Sequence, residues 1–75
     1  MKTVKISLNS IDKVKAFVNT VSQFNDDFDL VSGRYVIDAK SIMGIFSLDL
    51  AQPIDLTIHG DDDPKIMEAI KPYLV

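Results

Sequence analysis

The chain reads as a two-layer α+β sandwich, one domain over residues 1–75 with its elements in the order β-α-β-β-α-β-α. Three observations predict it. Short stretches that alternate apolar and polar residues predict strands with one buried face. Two longer stretches carry apolar residues at helical spacing, which supplies stripes to cover that face of an antiparallel sheet and leaves the other face wet. No linker, internal repeat or low-complexity segment divides the 75 residues, and at this length roughly 60% of the unfolded chain's surface can be buried, which is enough for one core only.

The first strand rests on Val4, Ile6 and Leu8, which alternate with Lys5 and Ser7. Asn9 and Ser10 then offer caps for a helix whose apolar residues fall at Ile11, Val14, Val18 and Val21, widened by Phe17 and Phe24; this spacing predicts a helix from Ile11 to about Phe24, stopped by Asn25-Asp26-Asp27. Phe28-Asp29-Leu30-Val31 and Arg34-Tyr35-Val36-Ile37 read as a hairpin about Ser32-Gly33, with its register left open because the turn has neither Asn-Gly nor Asp-Gly. Ser41 opens a short helix. Pro53 begins a fourth strand in which Ile54, Leu56 and Ile58 alternate with Asp55, Thr57 and His59, since a proline is tolerated at a first strand position. Gly60 and Asp61-Asp62-Asp63 make a turn, and Asp63 is placed to cap a last helix that starts at Pro64, where no donor is needed, and turns Ile66, Met67, Ile70, Tyr73 and Leu74 inward.

Composition narrows the functional classes. Apolar residues make up 47% and charged residues 25%, the balance of a soluble globular domain. No apolar run approaches the roughly 20 residues of a membrane span, and Met1 to Lys5 is followed by alternation rather than by the continuous apolar segment of a secretory signal. Cytoplasmic residence is therefore expected, with no membrane partner. The chain has no cysteine, so disulfides, thiolate metal sites and cysteine nucleophiles are excluded and packing alone must hold the fold. A net charge of −3 with no basic run argues against a nucleic-acid partner, whose binding rests on neutralising phosphates. No cofactor fingerprint is present.

Few residues carry chemistry. His59 is the single histidine; near the end of a strand and without a completing acidic constellation, it reads as a solvent-face residue rather than a catalytic base. Asp61-Asp62-Asp63 lacks the twelve-residue loop of alternating oxygen ligands that calcium requires, so it reads as turn and cap, and no metal site is expected. Lys13 and Lys15 fit a solvated helix face. Ser41 is positioned as an N-cap. The helix behind it is about two turns long and cannot bury Ile42, Met43, Ile45 and Phe46 together, so either some of them are exposed or only Met43 shows.

Lys40-Ser41-Ile42-Met43-Gly44-Ile45-Phe46-Ser47-Leu48 resembles the regulatory-serine segment of HPr, the small histidine phosphocarrier of the bacterial sugar phosphotransferase system. Phe17-Val18-Asn19-Thr20-Val21-Ser22-Gln23-Phe24 resembles that family's first helix, Ile54 to Ile58 fits its fourth strand more loosely, and the likeness spans nearly the whole chain. It implies an open-faced sandwich with strand order 1-4-2-3. It also implies that Ser41 is a candidate for phosphorylation by HPr kinase, and that Ile42, Met43, Ile45 and Phe46 form a face that docks phosphotransferase-system proteins or a transcriptional regulator. The family's active loop reads approximately Gly-Ile-His-Ala-Arg-Pro-Ala, whereas the corresponding stretch here is Asn9-Ser10-Ile11-Asp12-Lys13-Val14-Lys15-Ala16, shorter and without histidine, arginine or proline. Transfer of a phosphoryl group from Enzyme I needs an imidazole nitrogen that attacks and later leaves. The expectation is thus a non-enzymatic binding or regulatory member of the family, with a candidate anion site at the backbone of Ser10, Ile11, Asp12 and Lys13, because a helix N-terminus attracts anions whatever its side chains. Two alternatives stay open: a phosphocarrier with an unexpected acceptor, and a structural or oligomerising domain that merely keeps the fold.

Overall fold

A computed structural model describes residues 2–60 and 64–75. The turn 61–63 and the capping role expected of Asp63 lie outside the described residues. The elements are β1 Lys2–Ile6, α1 Ile11–Val21, β2 Asp27–Ser32, β3 Tyr35–Asp38, α2 Ile42–Ile45, β4 Ile54–His59 and α3 Pro64–Ile70, followed by a 3-10 turn Lys71–Tyr73.

The four strands form one antiparallel sheet in the order β1-β4-β2-β3. Its register explains why one face is wet. Val4, Leu56, Leu30 and Ile37 share a row on the helix side, whereas Lys5, Asp55, Val31 and Val36 share one on the other side, next to Thr3, Thr57, Asp29 and Asp38. Ile6, Phe28, Leu30, Leu56, Val14, Phe17 and Ile70 lie at the centre of the core, all essentially without solvent contact. No charged or polar side chain is buried with them among the described residues, so burial is obtained without a desolvated charge.

Where the elements end differs from the spacing alone, each time for a local reason. α1 stops at Val21, and the amides of Gln23 and Phe24 turn to the carbonyls of Thr20 and Val21 instead of continuing the helical ladder. Phe24 reaches the core from that turn, with its ring 6.4 Å from Phe28 at 62°. Ile11, at the head of the stripe, is 61% exposed, because it stands on the first turn, beyond the edge of the core. The hairpin turn is Gly33-Arg34, closed by the pair Ser32 and Tyr35. Gly33 has φ 60° and Arg34 has no positive φ, the signature of a type II′ turn with glycine at its first central position.

At the end of the chain, Pro72 lacks the amide that an α-helix would use, so α3 gives way at Lys71 to the 3-10 turn. Leu74 leaves that turn in an extended conformation and pairs with Ile6. The Ser7 amide donates to the Tyr73 carbonyl at 2.9 Å and the Val75 amide to the Lys5 carbonyl at 3.1 Å. Leu74, expected on the helix's inner face, instead forms a strap with Val75 along the outer edge of β1.

Candidate functional site

Lys40 to Leu48 folds as a tight unit. Asp38 Oδ1 accepts the Lys40 amide at 2.9 Å and the Asp38 carbonyl accepts the Ser41 amide at 3.0 Å, which turns the chain out of β3. Ser41 then takes an extended conformation, φ −97° and ψ 102°, and its Oγ accepts the Gly44 amide at 3.2 Å while its carbonyl accepts that of Ile45. This is N-cap geometry, and the Ser41 side chain is exposed. The expected two turns of helix reduce to Ile42–Ile45, prolonged by amide bonds from Phe46, Ser47 and Leu48 back to Ile42, Gly44 and Ile45. The internal glycine has a steric reason. A methyl group at Gly44 would come to 3.2 Å from Ser41 Oγ and 3.4 Å from Ile37 Cδ1, so glycine lets the capped turn sit directly on β3.

The four docking candidates part company here. Met43 is 77% exposed and Phe46 41%, Ile42 is half-buried, and Ile45 is completely buried. Ile45 therefore has no side chain to offer a partner: a one-turn helix packed on β3 must turn one of its residues inward, and its position three after Ile42 does so. The apolar surface left is Met43 with Phe46, beside the Ser41 hydroxyl.

Lys40 has a role that its sequence neighbours do not disclose. Its ammonium group donates to the Phe24 carbonyl at 2.8 Å and lies 5.6 Å from the centre of the Phe28 ring. It pins the turn after α1 to the start of the Ser41 segment, and its charge is engaged there rather than at the serine. Only the fold brings these partners together, since 16 residues separate Lys40 from Phe24.

At the N-terminus of α1, Ser10 is the cap: its Oγ accepts the Lys13 amide at 3.1 Å and its carbonyl accepts that of Val14. Of the anion-site candidates, Ser10 and Lys13 thus satisfy each other, while the amides of Ile11 and Asp12 stay free of intrahelical bonds, as first-turn amides do. The Asp12 carboxylate in the same turn already complements the helix dipole. The linker from β1, Ser7-Leu8-Asn9-Ser10, contains no histidine.

His59 is far from that linker. β1 and β4 run antiparallel with Ile6 opposite Ile54, so His59, five residues further along β4, is roughly 17 Å from the row where β1 hands over to the linker, at about 3.4 Å per residue. Its Nε2 is 2.7 Å from Asp29 Oδ2 across the β2–β4 pair. With Asp27, Phe28, Asp29 and Asp38 it lines an open hollow on the sheet. Three carboxylates there oppose the approach of a phosphoryl donor, because like charges repel. The 1-4-2-3 order makes β2 the neighbour of β4, but this pairing was hidden until the register set Asp27 opposite His59 and Asp29 opposite Thr57. Among the described residues, no group of three or more histidine, aspartate or glutamate side chains is arranged to hold a metal ion, and no helix is long and apolar enough to cross a membrane.

An antiparallel β1-β4-β2-β3 sheet with helices on one face and a serine-capped turn of helix packed on β3 defines the class of small open-faced α+β sandwiches. Comparison with known proteins identifies the family within it. The sequence profile described as "PTS HPr component phosphorylation site" matches residues 12–75. Among solved structures, HPr-C-His from Thermoanaerobacter tengcongensis is 30% identical with a TM-score of 0.79, the match covering 96% of this chain and 89% of that one. The phosphocarrier protein HPr from Bacillus anthracis str. Ames is 31% identical with a TM-score of 0.72, covering 99% and 94%. A histidine-containing phosphocarrier protein from a mycoplasma, 15% identical with a TM-score of 0.76 and coverage of 95% and 89%, shares the fold. The chain belongs to the HPr family of the phosphotransferase system. That family consists of phosphocarriers rather than enzymes, which work through contacts with other phosphotransferase-system proteins.

Proposed function

We propose that this protein is a non-catalytic, regulatory HPr-family domain that binds protein partners through the surface around Ser41, Met43 and Phe46, with phosphorylation of Ser41 as its switch. The observation that carries the reading is the absence of an imidazole where one would be needed. The linker Ser7 to Ser10 that opens α1 has no histidine, and the single histidine lies at the other end of the sheet among Asp27, Asp29 and Asp38. Charge supports this, since an acceptor for a phosphoryl group works beside helix amides or cations and not within a ring of carboxylates.

The Ser41 segment supports the positive half. Its hydroxyl is exposed at a helix N-terminus, where an added phosphate gains from the free amides and the dipole. It adjoins exposed Met43 and Phe46, an apolar pair with an adaptable methionine. About −2 charges placed beside such a pair change which partner it accepts without refolding the domain. The same reading keeps the amides of Ile11 and Asp12 as the anion-attracting end of α1, and places the protein in the cytoplasm, where the kinase and the phosphotransferase-system partners act.

Two incubations test the reading. With HPr kinase and ATP, the wild type is expected to take up phosphate and Ser41→Ala none; no label on either protein removes the switch. With phosphoenolpyruvate and Enzyme I, no acid-labile phosphate is expected. Such a phosphate on His59 would overturn the proposal in favour of a phosphocarrier with a non-standard acceptor.

A further inference from the structure

The two edges of the sheet are finished differently. The outer edge of β1 is partly covered by the strap at residues 73–75, whereas β3 has β2 on one side and, among the described residues, no strand on the other, where only the Asp38 end is met by the Ser41 amide. An uncovered edge strand presents a row of unpaired donors and acceptors to any chain that matches it. The hydrogen-bond parity of β3 shows which groups these are. The Ala39 amide donates to the Phe28 carbonyl. In an antiparallel ladder, inward and outward groups alternate from residue to residue, so Ile37 and Tyr35 also face β2 while Val36 and Asp38 turn their backbone groups outward.

The side chains single out the partner. Val36 is 63% exposed and Tyr35 66%, a large apolar pair for a strand of four residues. Arg34 precedes them, engaged in no ion pair among the described residues, and Asp38 closes the strand. Laid antiparallel against itself about Val36, the segment Arg34-Tyr35-Val36-Ile37-Asp38 places Arg34 opposite Asp38 at both ends and Tyr35 opposite Ile37. Opposite charges directly across a strand pair attract, and like charges repel. The parallel arrangement would set arginine against arginine and aspartate against aspartate. The sequence thus fits a second copy of itself in one orientation and one register.

We propose that β3 is a homodimerisation edge: two copies pair antiparallel through β3, Val36 opposite Val36 of the second copy and Arg34 opposite Asp38 of the second copy, to form one continuous eight-stranded sheet. The outward groups meet as the ladder requires. Each Val36 amide bonds the other's carbonyl, and each Asp38 amide bonds the Arg34 carbonyl across from it. The Asp38 carbonyl is already engaged by the Ser41 amide, so the ladder stops there. Both helical layers come to lie on the same side of the joined sheet, and the open faces join on the other. A ladder this short buries less than the ~1,200 Å² of the smallest stable complexes, so the dimer is weak and concentration-dependent.

The test is sedimentation equilibrium of the full chain up to about 1 mM, the range that suits a small interface, with amide spectra recorded along the same series. The expected result is a monomer–dimer equilibrium with shifts concentrated at Val36 and Asp38. Arg34→Asp turns both cross-strand pairs repulsive and is expected to weaken association about tenfold. Arg34→Asp combined with Asp38→Arg exchanges the charges and is expected to restore it. Thermal melting checks that each variant is folded, and the wild-type amide series stands by itself if the double variant is not. A monomer at every concentration, association indifferent to Arg34→Asp, or shifts confined to α2 or β1 would each overturn the proposal.

Discussion

Ser41 and Lys40 adjoin in sequence and do opposite kinds of work. Removing the Ser41 hydroxyl leaves the Gly44 amide without its acceptor, so Ser41→Ala is expected to cost about 1 kcal/mol. In a domain of this size that lowers the melting temperature by about 4–8 °C, and scanning calorimetry reads it directly. Ser41→Asp, which keeps a cap acceptor and adds the charge the dipole favours, is expected to melt within a degree or two of the wild type. Lys40→Met retains the aliphatic stem but loses the bond to the Phe24 carbonyl and the charge over Phe28; urea titration is expected to show a loss of about 1–2 kcal/mol. The serine was legible in the sequence because capping is a local matter, decided within the four residues Ser41 to Gly44. The lysine was not, because its partners lie on β2 and the turn before it. His59 behaves like the lysine: its strand position could be read, and its bond to Asp29 could not.

Elements were most legible where a periodic face meets the core. β4 alternates from Ile54 to His59 as expected, with Ile54, Leu56 and Ile58 buried. α1 buries Val14, Phe17 and Val21, while Val18 only leans on the core. The failures fall at element ends, where hydrogen bonding rather than hydrophobic pattern decides. The last three residues expected in α1, Ser22 to Phe24, form a turn, and Pro72 breaks α3 before its stripe is used up. The burial of Ile45 escaped for a related reason: spacing states that a short helix has apolar residues all round but does not state which one the sheet takes. Tyr73, 8% exposed and stacked edge-on against Phe17 at 5.4 Å, anchors the strap to the core. Tyr73→Ala is expected to cost about 3 kcal/mol and to speed hydrogen exchange at the Ser7 amide, whose acceptor is the Tyr73 carbonyl.

At the scale of the whole molecule, sheet, core and family were readable from the order of elements and from one nine-residue segment. The functional proposal rests on what that frame lacks at the start of α1, and the labelling incubations decide it. The strap also bears on how the chain reaches its fold. β1 is made well before the segments that border it in the sheet: Ile58 lies opposite Lys2, and the second edge waits for residues 73–75. Closing so long a loop costs entropy. During synthesis β1 therefore lacks its strand partner until β4 is made, while β2 and β3 already have a tight turn to join them. The hairpin is expected to order first, and β1 is expected to dock only when β4 and residues 73–75 arrive to hold it.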